Sequence, residues 1–409
     1  MNRQTRRRFL AASATTSSVL TFGGIAPAFL REAAVANESD GRILVVVEMA
    51  GGNDGLNTVV PHSDDEYREA RPKLGIPKSQ VLKIDHRLGF HPSMSGFSDL
   101  LEAGHLAVVQ GVGYPDPNRS HFESMDIWHS CQRKTENRTD GWLGRYLQHS
   151  GTAEVQDPAG LHLGDDKQPF ALMSRDVRVP SIRSLDEFRL AGNDSPKFRQ
   201  AVKELADARR GDSNDLLNFV QTSTSSAITA SERIESAAMK YKPSKEYPQN
   251  GLAQRLQTVA KLISSGLKTS VYYVQIGGFD THAQQPNAHS VLLRYVSDSV
   301  STFVNDLKAH GHADRVLCMC FSEFGRRVRE NASEGTDHGT AGPVFLAGTQ
   351  VKPGLIGKHP SLSDLKDGDL QYHTDFRQVY ATVLEQWLKS DSERVLKGRF
   401  QPVDALRSV

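Results

Sequence analysis

Ser270-Val271-Tyr272-Tyr273-Val274-Gln275-Ile276-Gly277-Gly278-Phe279-Asp280-Thr281-His282 decides how the rest of the chain is read. A continuous apolar run rich in β-branched and aromatic residues predicts a buried parallel strand, and the glycine pair then lets the backbone turn sharply. An acid and an imidazole follow at once. In an open α/β sheet ligands bind beyond the carboxyl ends of the strands, so Asp280 and His282 stand where chemistry is expected.

Two further stretches share this layout. Residues 42–54 run from Val45-Val46-Val47 through Gly51-Gly52 to Asp54, and residues 315–326 run from Val316-Leu317-Cys318 to Ser322-Glu323-Phe324-Gly325-Arg326. Three strands then deliver three carboxylates to one rim. Close carboxylates repel unless a cation or protons neutralise them, which points to a metal. The intervening segments complete an α/β pattern. Residues 94–103 form a short amphipathic helix, 106–113 a second buried strand, 252–267 and 291–310 amphipathic helices, 343–348 a short strand and 379–387 the inner face of a closing helix. The expected fold is an α/β domain with a mostly parallel sheet flanked by helices.

The amino terminus reads differently. Thr5-Arg6-Arg7-Arg8-Phe9-Leu10, a weakly apolar segment and Ala34-Val35-Ala36 have the three-part layout of a secretory signal in its twin-arginine form. Residues 1–36 are therefore set apart as a signal peptide, with residues 37–409 as one α/β domain. Periplasmic or extracellular localisation and contact with the export machinery follow from that assignment. Taking five of the 49 basic and one of the 48 acidic residues away with this segment leaves 44 against 47, a net charge near −3. No nucleic-acid footprint is implied. Three cysteines make a disulfide framework unexpected, and no later apolar run is long enough to span a bilayer. From about 185 to 250 the composition turns polar and charged with helical periodicity, which predicts a helical insertion beside the sheet.

The candidate metal ligands are Asp54, Asp280, His282, Glu323 and His338, hard oxygen donors with two imidazoles. Such mixed ligation suits Zn²⁺ or Mn²⁺ better than Ca²⁺ or Mg²⁺. Two residues admit both a chemical and a structural role. Ser120, in Ser-His-Phe-Glu ahead of an apolar-periodic run, fits a capping box, and it also stands where a nucleophile at a helix start would stand. Arg326 suits either a clamp on a phosphate or sulfate, or a partner for one of the carboxylates.

The ordered motifs GGNDGLN at 51–57, PNRSHF at 117–122, GGFDTH at 277–282, SEFGR at 322–326, TDHGTAGPVFLAG at 336–348 and TDFRQVYATVLEQWL at 374–388 resemble the domain-of-unknown-function 1501 family. That family in turn resembles the alkaline phosphatase and sulfatase superfamily, a doubly wound fold with a metal-assisted phospho- or sulfo-transfer site. The resemblance implies Asp54 as the ligand after the first strand, Ser120 as nucleophile, Asp280 and His282 as an Asp/His pair and His338 as a late histidine ligand. Phe324 stands where an imidazole is usual, which favours a single ion. The implied function is metal-dependent hydrolysis of a phosphate or sulfate ester, with a small anionic ester or a glycan as substrate; the alternative is a catalytically degenerate exported binding or scaffold protein that keeps the fold.

Overall fold

A computed structural model describes residues 41–150, 157–164, 167–183 and 241–407. The signal segment and most of the expected insertion, residues 184–240, lie outside the described residues. Its last stretch, 241–250, is non-helical and ends at Asn250, which caps the next helix by accepting from Ala253 N.

Among the described residues nine strands form the central sheet: β1 Ile43–Met49, β2 Leu106–Gly113, β3 Gly160–Leu163, β4 Ser181–Ile182, β5 Val271–Ile276, β6 Val316–Phe321, β7 Gly342–Ala347, β8 Gly354–Ile356 and β9 Thr374–Asp375. Their order is β8-β2-β7-β6-β1-β5-β3-β4, with β9 beside β2. β7 runs antiparallel to both of its neighbours, and the other pairings are parallel. The expected mostly parallel sheet is therefore what the chain builds.

Register then sets the site. Met49 pairs with Ile276 and Glu48 with Phe321, so β5, β1 and β6 end side by side. β7 enters the sheet at this same rim because it runs the other way, and the carboxyl end of β2 lies opposite its start.

Helices cover both faces: α1 Asp65–Ala70, α2 Ser95–Glu102, α3 His121–Ser130, α4 Trp142–His149, α5 Gly251–Ser264, α6 Gln285–Ala309 and α7 Phe376–Thr382. The alternation of β1 divides the core. Val45, Val47 and Met49 pack with Phe97 of α2, Leu256 and Val259 of α5, and Val300 and Phe303 of α6. Leu44 and Val46 face Trp128 of α3, Leu143 of α4 and Tyr380 of α7, with Trp142 stacked on Tyr380 at 4.1 Å. Each such side chain contributes roughly 1.5–3 kcal/mol by leaving water, so both faces are needed to hold the sheet.

α6 begins six residues earlier than its apolar periodicity suggests. Pro286 sits in its first turn, where a missing N–H costs nothing, and Gln284 turns the chain with φ of 47°. The added turns bury Gln285 and His289 beneath the rim.

Candidate functional site

Four loops converge at the rim. Gly51 and Gly52 follow β1 with φ of 120° and 75°, and a Cβ on Gly51 would lie 2.5 Å from Asp280 N. Only glycine admits that approach. The backbone of Phe279 and Asp280 is thereby packed against the β1 turn, while His121 opens α3 and His338 precedes β7.

Asp280 Oδ1 is the centre of the arrangement. It accepts from Arg326 Nη2 at 2.6 Å, and lies 3.0 Å from His282 Nε2, 3.1 Å from His338 Nε2 and 3.4 Å from His121 Nε2. His282 Nε2 and His338 Nε2 are 2.9 Å apart. Partial burial acts to raise the Asp280 pKa, but Arg326, His338 and His282 outweigh it and hold the carboxyl at about 2. The ligand atoms of His121, Asp280 and His338 all lie within 4.8 Å of one another, so these three groups can hold a metal ion.

Each imidazole is oriented from behind. His121 Nδ1 lies 2.8 Å from Glu323 Oε1, His282 Nδ1 lies 3.2 Å from Asp337 Oδ1, and His338 Nδ1 lies 2.7 Å from the Arg119 carbonyl. An acceptor behind Nδ1 calls for the Nδ1–H tautomer, which leaves the Nε2 lone pair facing inward. Phe324 supports two of the rings, its centroid 4.9 Å from both His121 and His338. The hydrogen bond from His121 to Glu323, reinforced by the charges of Glu323 and Asp280, pushes the His121 pKa up against burial. Hydrogen bonding by Asn331, aided by His282, holds Asp337 below its ordinary value.

Asp54 does not join this cluster. It is fully buried, its Oδ2 accepting from Arg71 Nη1 at 2.6 Å and from Gln285 Nε2 at 2.6 Å, its Oδ1 from Arg71 Nη2 at 3.2 Å. Burial acts to raise its pKa, and Arg71 overcomes this to hold it at about 2. A carboxylate already neutralised by a buried guanidinium is not waiting for a cation, so the expected ligand role is corrected to a structural ion pair. Burial pushes the neighbouring His289 down to about 3, which leaves it neutral in the same network, where its Nε2 meets Asn53 Oδ1 at 2.9 Å.

Glu323 keeps its place at the strand end with a different task. Its Oε1 accepts from Gly51 N at 2.9 Å besides holding His121, and its Oε2 accepts from Ser322 Oγ at 3.0 Å. It orients the His121 ring rather than joining the groups around Asp280 Oδ1.

The clamp reading of Arg326 is corrected as well. This buried side chain donates from Nε to Gly52 O, from Nη1 to Thr336 O and from Nη2 to Gly51 O, Phe279 O and Asp280 Oδ1. Every nitrogen is engaged within the protein, which makes Arg326 a strut for Asp280.

Ser120 precedes α3 as its N-cap, but its side chain makes no capping hydrogen bond, so the expected capping box does not form. The residue is exposed and lies between two tethered neighbours, Arg119 whose carbonyl meets His338 and His121 whose ring meets Asp280. His121 is the site residue that sequence reasoning passed over. The available signal was an imidazole at the first helical position after a strand-end loop.

With the geometry in hand, comparison with known proteins adds a family. The pattern described as "Protein of unknown function (DUF1501)" matches residues 42–401. The chain belongs to this family. That bears out the resemblance drawn from the motifs, and every residue of the cluster falls inside the match. Comparison with curated proteins finds no match. Similar solved structures include the C-terminal periplasmic domain of EcEptC from Escherichia coli, with 10% identity, 88% of each chain covered and a TM-score of 0.40. The PsFucS1 sulfatase from Pseudoalteromonas sp. shares 10% identity over 91% of this chain and 74% of its own, with a TM-score of 0.39. Alkaline phosphatase from the Antarctic bacterium TAB5 shares 11% identity over 75% and 92%, with a TM-score of 0.29. Residue roles in this DUF1501 chain rest on the distances above and not on these remote likenesses.

Proposed function

We propose that this protein is an exported metal-dependent hydrolase of a phosphate or sulfate ester. One divalent ion, Zn²⁺ or Mn²⁺ before Ca²⁺ or Mg²⁺, is held by His121, Asp280 and His338 with His282 beside them, and Ser120 is the nucleophile. The supporting observation is the meeting of three inward-facing Nε2 atoms around one carboxylate oxygen, with two of those nitrogens only 2.9 Å apart. Lone pairs at that distance repel unless a proton or a cation lies between them. Nitrogen and oxygen donors in this mixture suit zinc or manganese. Asp54 and Glu323 are already committed elsewhere, which favours one ion over two.

A bound ion supplies Lewis-acid stabilisation of the charge that builds on ester oxygens. The remaining work falls to the chain. Ser120 carries a hydroxyl not spent on capping, at the start of a ten-residue helix whose amino end favours anions. Its oxygen forms the new bond to phosphorus or sulfur as it gives up its proton, and the ester oxygen leaves protonated. Water then releases the group and restores the serine. Arg326 and Glu323 hold Asp280 and His121 in place without touching substrate.

Export rests on the twin-arginine layout of residues 1–36 and places the protein in the periplasm or outside the cell. Among the described residues no helix is long and apolar enough to cross a membrane. The test pairs metal analysis of the purified mature chain with turnover of generic phosphate and sulfate esters by the wild type and Ser120→Ala. One ion per chain with turnover abolished in the variant is the expected result. Bound metal with no turnover by the wild type would favour a binding or scaffold role instead.

A further inference from the structure

An open cleft of about 640 Å³ adjoins the cluster, one wall formed by Gly113–Arg119 and the other by Lys366, Asp367, Leu370, Gln371 and Tyr372, with Thr340 also lining it. The first wall ends one residue before Ser120, so whatever is attached to an ester reacting there lies within reach of the cleft.

The chemistry of the walls narrows what fits. Two cations, Arg119 and Lys366, and two carboxylates, Asp116 and Asp367, line the space. Arg119 is further paired with Asp369, and Lys366 Nζ lies 3.9 Å from Asp116 Oδ1. A second phosphate or sulfate would find no surplus of positive charge. Donors and acceptors are interleaved instead. Asn118 Oδ1 is committed to Ser120 N at 2.8 Å, which leaves its NH₂ group to donate outward. Gln371 Nε2 donates to Asp364 Oδ1 at 2.8 Å, which leaves its Oε1 to accept. Tyr372, 37% exposed, adds a flat ring to the same wall. Hydroxyl groups donate and accept alike, and the C–H face of a saturated ring packs on an aromatic one.

We propose that this cleft binds the uncharged, hydroxyl-rich part of the substrate, a sugar or polyol chain, while its single anionic ester lies at the histidine and aspartate cluster. The assignment rests on the hydrolase reading for its second half and on the cleft alone for its first.

The experiment separates the two. The mature protein, with and without added divalent ion, is titrated with neutral di- to hexasaccharides of glucose, galactose, mannose and xylose, and binding is read by ligand-observed NMR. At least one series should bind with a dissociation constant near or below the millimolar range, equally well with and without metal. Tyr372→Ala and Gln371→Ala, both on the exposed wall, should each weaken that binding about tenfold. A silent panel, or binding that neither variant alters, overturns the proposal. Failure of the hydrolase reading shows elsewhere, in metal content and ester turnover, which these titrations do not use.

Discussion

Replacing Arg71 by Met removes the partner of a carboxylate that has no contact with solvent. Two estimates bear on the cost. Holding Asp54 at about 2 rather than 3.8 corresponds to about 2.4 kcal/mol at neutral pH. Removing one member of a buried pair costs about 3–5 kcal/mol, because the remaining charge is left uncompensated. Arg71 also donates to Val328 O and to Arg327 O, bonds that are lost with it, so the upper part of that range is expected. The assay is urea unfolding of the mature chain at pH 7.5, followed by circular dichroism. Arg71→Met should lower stability by about 4–5 kcal/mol, and Asp54→Asn combined with Arg71→Met should recover a large part of the loss. The sign with pH follows from the depressed pKa. The contribution of Asp54 is present above its ordinary 3.8 and disappears as pH falls through about 2, so wild type and double variant should converge in acid. A loss under about 1 kcal/mol in Arg71→Met would refute the buried-pair assignment. So would Asp54→Asn releasing metal at unchanged stability.

The other predictions concern the cluster. His121→Ala should lower metal affinity more than tenfold, and Glu323→Gln, which removes the charge behind His121 Nδ1, by roughly 10–100-fold; isothermal titration checks both. Because the hydrogen bond to Glu323 and the charges of Glu323 and Asp280 raise the pKa of His121, protons should compete with metal as pH falls. Affinity measured from pH 8 to pH 6 should therefore decline, and a flat profile would mean that the imidazoles are not ligands. Ser120→Ala should keep its metal and its melting temperature while ester turnover falls, since the hydroxyl caps nothing. Arg326→Lys should weaken metal binding and lower stability together, because one ammonium cannot replace three donating nitrogens.

Much of the fold was legible because the strands at the middle of the sheet are largely buried. Apolar runs such as Val45–Val47 and Val271–Val274, each followed within a few residues by a glycine pair, fit little besides a strand covered on both faces. Strand-end placement also pointed to Asp280 and His282, since side chains just beyond parallel strands share a rim whatever their separation in sequence, while His338 reaches that rim from the loop before the antiparallel β7. Partnership was not legible in the same way. Nothing local to Asp54 announces that Arg71, seventeen positions later in a polar stretch, turns inward to neutralise it. His121 was hidden by its neighbour, because Ser-x-x-Glu is a familiar capping pattern and drew attention to Ser120. The partner that aims the His121 ring, Glu323, lies 202 residues away. The early start of α6 was obscured for a related reason, since Gln285 and His289 are polar residues whose buried partners, among them Asp54 and Asn53, lie far away in sequence.

The most direct test is anomalous diffraction from crystals of the mature protein grown with Zn²⁺ or Mn²⁺, combined with metal analysis of the same preparation. A single peak among His121, Asp280 and His338, lost in Asp280→Asn, is the predicted result. No bound ion at that rim, or an ion at Asp54, would contradict it.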